Sequence, residues 1–132
     1  MKYGYTIIYV ANVKETMEFY EKAFGFQSKF ITPENDYGEL ISGGTTIAFA
    51  SIELGNINFK NGFVKTNLSE KPFGMEMAFV TDNIEADFEK ALKMGATEYE
   101  ALTEKPWGQK VGYLTDNNGL LIELCSPIKT EY

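Results

Sequence analysis

The residues able to do chemistry in this sequence are bounded first by two counts: histidine is absent, and cysteine occurs once, at Cys125. Ser–His and Cys–His nucleophile pairs, imidazole acid–base catalysis and every histidine-containing metal site are therefore excluded, and one thiolate cannot build a zinc site. What remains is the chemistry of carboxylates and phenols, with lysines and backbone groups beside them. Three carboxylates, Glu39, Glu76 and Glu123, stand inside otherwise apolar runs, YGELI, MEMAFV and LLIELC. Tyr5, Tyr9 and Tyr113 lie in similar runs, and Trp107, the single tryptophan, sits in KPWG shortly before one of them. A carboxylate can hold a cation or, raised in pKa, act as a general base, while aromatic faces stack on flat or cationic groups. Cys125 has no histidine to activate it and reads as a buried, inert thiol.

The charge balance points the same way. Nineteen acidic residues against twelve basic ones give a net charge of −7, with an isoelectric point near 4.6. Such a surface repels a phosphate backbone and disfavours nucleic acid, whereas a cation is welcome. No apolar run approaches the ~18 residues of a membrane span, so no membrane partner is expected. The opening MKYGYTIIYV lacks the charged prelude and long apolar core of a signal peptide. A soluble, cytoplasmic protein is the expectation, and a lone cysteine accords with a reducing compartment. With 132 residues, 44% of them hydrophobic and 23% charged, the chain has the composition of one globular domain.

The elements that must position these groups occur twice in the same order. Residues 3–10, YGYTIIYV, read as a strand. Val13, Met17, Tyr20 and Phe24 then form a helical stripe, opened by Asn12 with Glu15 in a variant capping box and closed by Gly25. After a polar stretch, YGELI (37–41) and TTIAFAS (45–51) read as a hairpin about SGG. In the second half MEMAFV (75–80) is a strand. DNIEADFEKALKMG carries the helical stripe Ile84, Phe88, Ala91 and Leu92, and VGYLT (111–115) and LLIELCS (120–126) form a hairpin about DNNG. Laid over each other, Asn12-Val13 meets Asn83-Ile84, Gly38-Glu39-Leu40 meets Gly112-Tyr113-Leu114, and the run 47–51 meets 122–126. The glycine-containing polar stretch between the halves reads as a long connecting loop.

With these segments in place, the chain resembles the vicinal oxygen chelate superfamily of glyoxalases, bleomycin-resistance proteins and extradiol dioxygenases. The carriers are VANVKETMEFYEKAFGF, AFVTDNIEADFEKALKMGA and the terminal KPWGQKVGYLTDNNGLLIELCSP. The resemblance implies an α+β fold of paired βαβββ modules whose sheets form an open curled cup with helices outside. Module one would span about 3–54, a linker about 55–73 and module two about 74–127. It also implies a homodimer.

Strand alternation then assigns faces. Ile47, Phe49, Ile122 and Leu124 should meet the helices. The opposite face, looking into the cup, would carry Tyr5, Tyr9, Glu39, Glu76, Tyr113 and Glu123, with Trp107 at the rim. In metal-dependent relatives the ligands fall, by the resemblance, on the positions of Tyr5, Ala48, Glu76 and Glu123. Only Glu123 keeps a customary ligand, and Ala48 offers no donor. The expectation is therefore a metal-free protein binding a small cationic or aromatic ligand, like the drug-sequestering branch. The alternative is a glyoxalase- or dioxygenase-like enzyme holding a divalent metal ion through Glu76 and Glu123.

Overall fold

The computed structural model describes residues 1–128, and the chain divides into two compact units, Met1–Thr66 and the part from Asn67 onward. In the first unit β1 (Tyr5–Val10) leads into α1 (Val13–Phe24). The Asn12 side chain accepts the Glu15 backbone N–H at 2.9 Å and so satisfies one of the free donors at the helix start, a cap contributing about 1 kcal/mol. Gly25 ends the helix with φ +75°, a conformation that costs glycine nothing, and its N–H donates to the Glu21 carbonyl at 3.0 Å. β2 (Gln27–Ile31), β3 (Tyr37–Ile41) and β4 (Thr46–Ser51) follow, and the short α2 (Ile52–Asn58) closes the set.

The sheet order is β1-β4-β3-β2, with β1 parallel to β4 and the other pairs antiparallel. α1 packs on one face of this sheet. Tyr20 is fully buried with its ring 4.8 Å from that of Phe49, and Val13, Met17, Leu40 and Ile47 complete the core. Gly38 lets the helix come close, since a Cβ there would lie 3.2 Å from the Met17 thioether.

The second unit repeats the pattern with β5 (Glu76–Val80), α3 (Ile84–Lys93), β6 (Thr97–Glu104), β7 (Lys110–Thr115) and β8 (Leu121–Cys125) in the sheet order β5-β8-β7-β6. Phe88 and Ala91 of α3 are buried, as are Leu114, Ile122 and Leu124 on the strands. The helix start differs from its counterpart. Asn83 makes no side-chain cap; instead the Thr81 hydroxyl accepts the Asn83 N–H at 3.0 Å and donates to Asp87.

Three elements were absent from the residue-by-residue reading. The side chains of β2 and β6 lie mostly in water and carry no hydrophobic alternation; β6 reads TEYEALTE and both strands are interrupted by register shifts. α2 occupies residues expected to end the first module and begin the linker. It is held by the Ser51 hydroxyl, which accepts the Leu54 N–H at 3.1 Å, and it is too short for a helical stripe. No helix among the described residues is long and apolar enough to cross a membrane.

Candidate functional site

In each unit the helix covers one sheet face, and strand alternation sends every second side chain to the other. In the first unit that open face carries Tyr5, Ile7 and Tyr9 from β1, Ala48 and Ala50 from β4, and Tyr37 and Glu39 from β3, in the register Ile7–Ala48–Glu39 and Tyr9–Ala50–Tyr37. The two alanines are buried between larger neighbours. Tyr5 is exposed, while Tyr9 is held by two rings that follow α2: Phe59, edge-on at 5.5 Å, and Phe63 at 5.3 Å. The Gly62 N–H donates to the Phe59 carbonyl at 3.0 Å, a turn with φ +72° at Gly62 that folds both rings back onto Tyr9. Sequence reasoning did not nominate Phe59 or Phe63. The signal was present in FKNGF, an Asn-Gly turn flanked by aromatics.

Glu39 is a partnered carboxylate. The Tyr37 hydroxyl donates to its Oε2 at 2.7 Å, and Lys29 Nζ lies 3.8 Å from its Oε1. Burial, followed by this hydrogen bond and the Glu39 charge, holds the Tyr37 hydroxyl well above its ordinary pKa. The Phe30 and Tyr37 rings lie 6.0 Å apart beside them. The first unit thus offers an aromatic face whose one carboxylate is already engaged.

The second unit differs in charge. Its open face carries Glu76 and Ala78 from β5, Leu121, Glu123 and Cys125 from β8, and Val111 and Tyr113 from β7, with Ala78, Glu123 and Tyr113 side by side in register. Glu76 and Glu123 are diagonal neighbours on paired strands, and desolvation first, then the Glu123 charge and hydrogen bonding with it, raise the Glu76 pKa although Glu76 is exposed. Burial and then the charges of Glu123 and Glu76 likewise raise the Tyr113 hydroxyl. Cys125 is buried, with Sγ 3.7 Å from the Phe79 carbonyl oxygen. Burial and a hydrogen bond with Glu123 push its thiol up to about 11. None of the ion pairs among the described residues involves Glu76 or Glu123.

Trp107 occupies the turn between β6 and β7 and is half exposed. Of the seven nominated residues, Tyr5, Tyr9 and Glu39 belong to the first unit's open face, Glu76, Tyr113 and Glu123 form one connected cluster in the second, and Trp107 stands on a turn of that same unit. A separate open cleft of about 440 Å³ in the first unit lies at the starts of α1 and α2 and contains none of them. Three of its polar lining residues are engaged locally: Asn12 and Ser51 cap the two helices, and Asp36 accepts from the Thr32 hydroxyl at 2.6 Å.

In the second unit Glu76 and Glu123 offer oxygen donors to the divalent metal that the resemblance implies, but no group of three or more histidine, cysteine or acidic side chains among the described residues could hold a metal ion. A first shell with at least three good protein donors is not available from these side chains, and they do not fit a transition metal.

Residues 3–129 match the family model described as a glyoxalase-like domain. No curated protein matches the chain. Among solved structures, a glyoxalase-related enzyme from Fulvimarina pelagi superposes with a TM-score of 0.81 at 15% identity, covering 96% of this chain and 88% of that one. A glyoxalase/bleomycin resistance protein/dioxygenase family enzyme from Burkholderia phytofirmans PsJN gives 0.74 at 19% identity, over 93% and 96% of the two chains. TioX from Micromonospora sp. ML1 gives 0.70 at 15% identity, over 96% and 98%.

Proposed function

Because the chain belongs to the glyoxalase-like domain family, we propose that it is a small-molecule-binding protein of the vicinal oxygen chelate superfamily that works without a metal and prefers a cationic or cation-bearing aromatic ligand. One observation carries this reading: Glu76, Glu123 and Tyr113 are neighbours on one open sheet face, and neither glutamate has a basic side chain as ion-pair partner among the described residues. Two neighbouring carboxylates repel each other, and a positive group placed between them relieves that repulsion. The tyrosine beside them supplies flat surface for stacking. No chemical step is derived through a metal, because the donor set does not fit one. The net charge of −7 supports the exclusion of nucleic acid. A cytoplasmic homodimer completes the proposal.

The test is calorimetric titration of the full chain with a panel of cationic, neutral and anionic aromatic compounds. Cationic members bind best, and Glu76→Gln, which keeps shape and removes charge, weakens them by about twofold to fivefold, the loss of a solvent-screened charge contact of about 0.4–1 kcal/mol. Selective binding of anionic thiol conjugates or phosphorylated compounds, or an unchanged cation affinity in Glu76→Gln, overturns it.

A further inference from the structure

We propose that Gln109 is a positioning residue that locks Trp107 on the β6–β7 turn, so that the indole meets a ligand through its ring face and not through its N–H. This rests on the ligand-binding reading above and specifies what one aromatic contributes to it.

The turn is closed at two places. The Gly108 N–H donates to the Lys105 carbonyl at 2.9 Å, and the Lys105 N–H donates to the Gln109 carbonyl at 2.8 Å. Pro106 restricts the backbone before Trp107, and Gly108 follows with φ +86°. The backbone carrying Trp107 is therefore preset.

The side chain is preset as well. Trp107 Nε1 donates to Gln109 Oε1 at 2.8 Å, and Gln109 Nε2 donates to the Ser126 carbonyl at 2.9 Å. An indole nitrogen can only donate and a carbonyl can only accept, so each end of the Gln109 amide fixes the orientation of the other. Ser126 is itself anchored to the start of β7, accepting the Lys110 N–H on its hydroxyl and donating its own N–H to the Lys110 carbonyl, both at 2.9 Å. Gln109 is 8% exposed and Trp107 48% exposed. A buried amide thus holds a half-exposed indole, the reverse of what a packing role for the tryptophan would require.

The chemical consequence follows from the indole having one donor. That donor is committed inside the protein, which leaves the ring surface, suited to a flat ring or a positive charge. Fixing the ring in advance also lowers the ordering cost of binding. A hydrogen-bond acceptor on the ligand gains nothing from Trp107.

Trp107 is the only tryptophan, so one indole N–H resonance and one fluorophore report on it without ambiguity. The full chain and its Gln109→Met, Trp107→Phe and Trp107→Ala variants are compared, with ethidium as the cationic aromatic probe. Gln109→Met is expected to speed indole N–H exchange at least about tenfold and weaken ethidium several-fold by unfixing the ring. Trp107→Phe, which keeps a ring face but loses the fixing hydrogen bond, is expected to weaken ethidium several-fold, as Gln109→Met does, whereas Trp107→Ala loses more, about tenfold or beyond. Unchanged exchange in Gln109→Met overturns the positioning role. A loss in Trp107→Phe equal to that in Trp107→Ala overturns the ring-face contact, and this comparison holds even if Gln109→Met fails to fold. Ethidium binding by wild type that Trp107→Ala does not weaken sinks the platform and leaves the ligand reading intact. Failure of wild type to bind ethidium, with exchange still accelerated in Gln109→Met, sinks the ligand reading and leaves the positioning role standing.

Discussion

At the scale of single residues, environment separates side chains that look alike in the sequence. Glu39, Glu76 and Glu123 are all glutamates on strands, yet Glu39 is matched by Tyr37 and Lys29 while Glu76 and Glu123 face each other. Cys125 takes its character from the same cluster. With its thiol pushed up to about 11, chiefly by burial and then by Glu123, little thiolate exists near neutrality. The native thiol should therefore titrate with an inflection near 11, against the ordinary value of ~8.5 in the unfolded chain. Because burial is the larger cause, Glu123→Gln should lower the inflection without restoring that ordinary value. The Cys125 Cβ carbon chemical shift followed across pH checks both statements, and a native inflection near pH ~8.5 contradicts them.

At the scale of elements, the two glycines matched by the internal repeat do the same work against different neighbours. A Cβ on Gly112 would lie 2.5 Å from Phe88 Cε2 and 3.0 Å from Leu102 Cδ2, whereas one on Gly38 would meet the end of Met17 and the Phe30 carbonyl oxygen at 3.2 Å. An aromatic ring wedged between helix and strand gives way less easily than a thioether. Gly112→Ala should therefore destabilise by about 1–3 kcal/mol, and Gly38→Ala by less. Gly44→Ala, with nothing within 4 Å, should stay within about 0.5 kcal/mol of wild type. Denaturant unfolding measures all three, and partial recovery of Gly112→Ala by Phe88→Leu would identify the clash as the cause. The edges β2 and β6 show the opposite side of element-level physics. Their exposure erased the apolar pattern that made the other strands legible.

At the scale of the whole molecule, the proposals concern metal content and assembly. Protein purified without chelator should carry no stoichiometric zinc, nickel, manganese or iron, because histidine is absent and Ala48 has no donor. Elemental analysis returning about one equivalent per chain, lost on Glu123→Gln, would reverse this. Sedimentation equilibrium at micromolar concentration should return the mass of two chains of 14.9 kDa each; a monomeric mass refutes the dimer.

The sequence alone determined the elements whose signals are local: the α1 stripe with Asn12 and Gly25 at its ends, the two hairpins, the repeat, and through strand parity the face on which Glu76, Tyr113 and Glu123 lie. These follow from periodicity and turn chemistry within a few residues, and the absence of histidine needed no structure at all. Only the tertiary structure decided which partners those side chains meet. That Lys29 reaches Glu39, that Phe59 and Phe63 close over Tyr9, and that Gln109 ties Trp107 to Ser126 each depend on segments brought together by folding. Spacing along a chain prescribes direction and face, whereas hydrogen-bond partners and burial are set by packing across it.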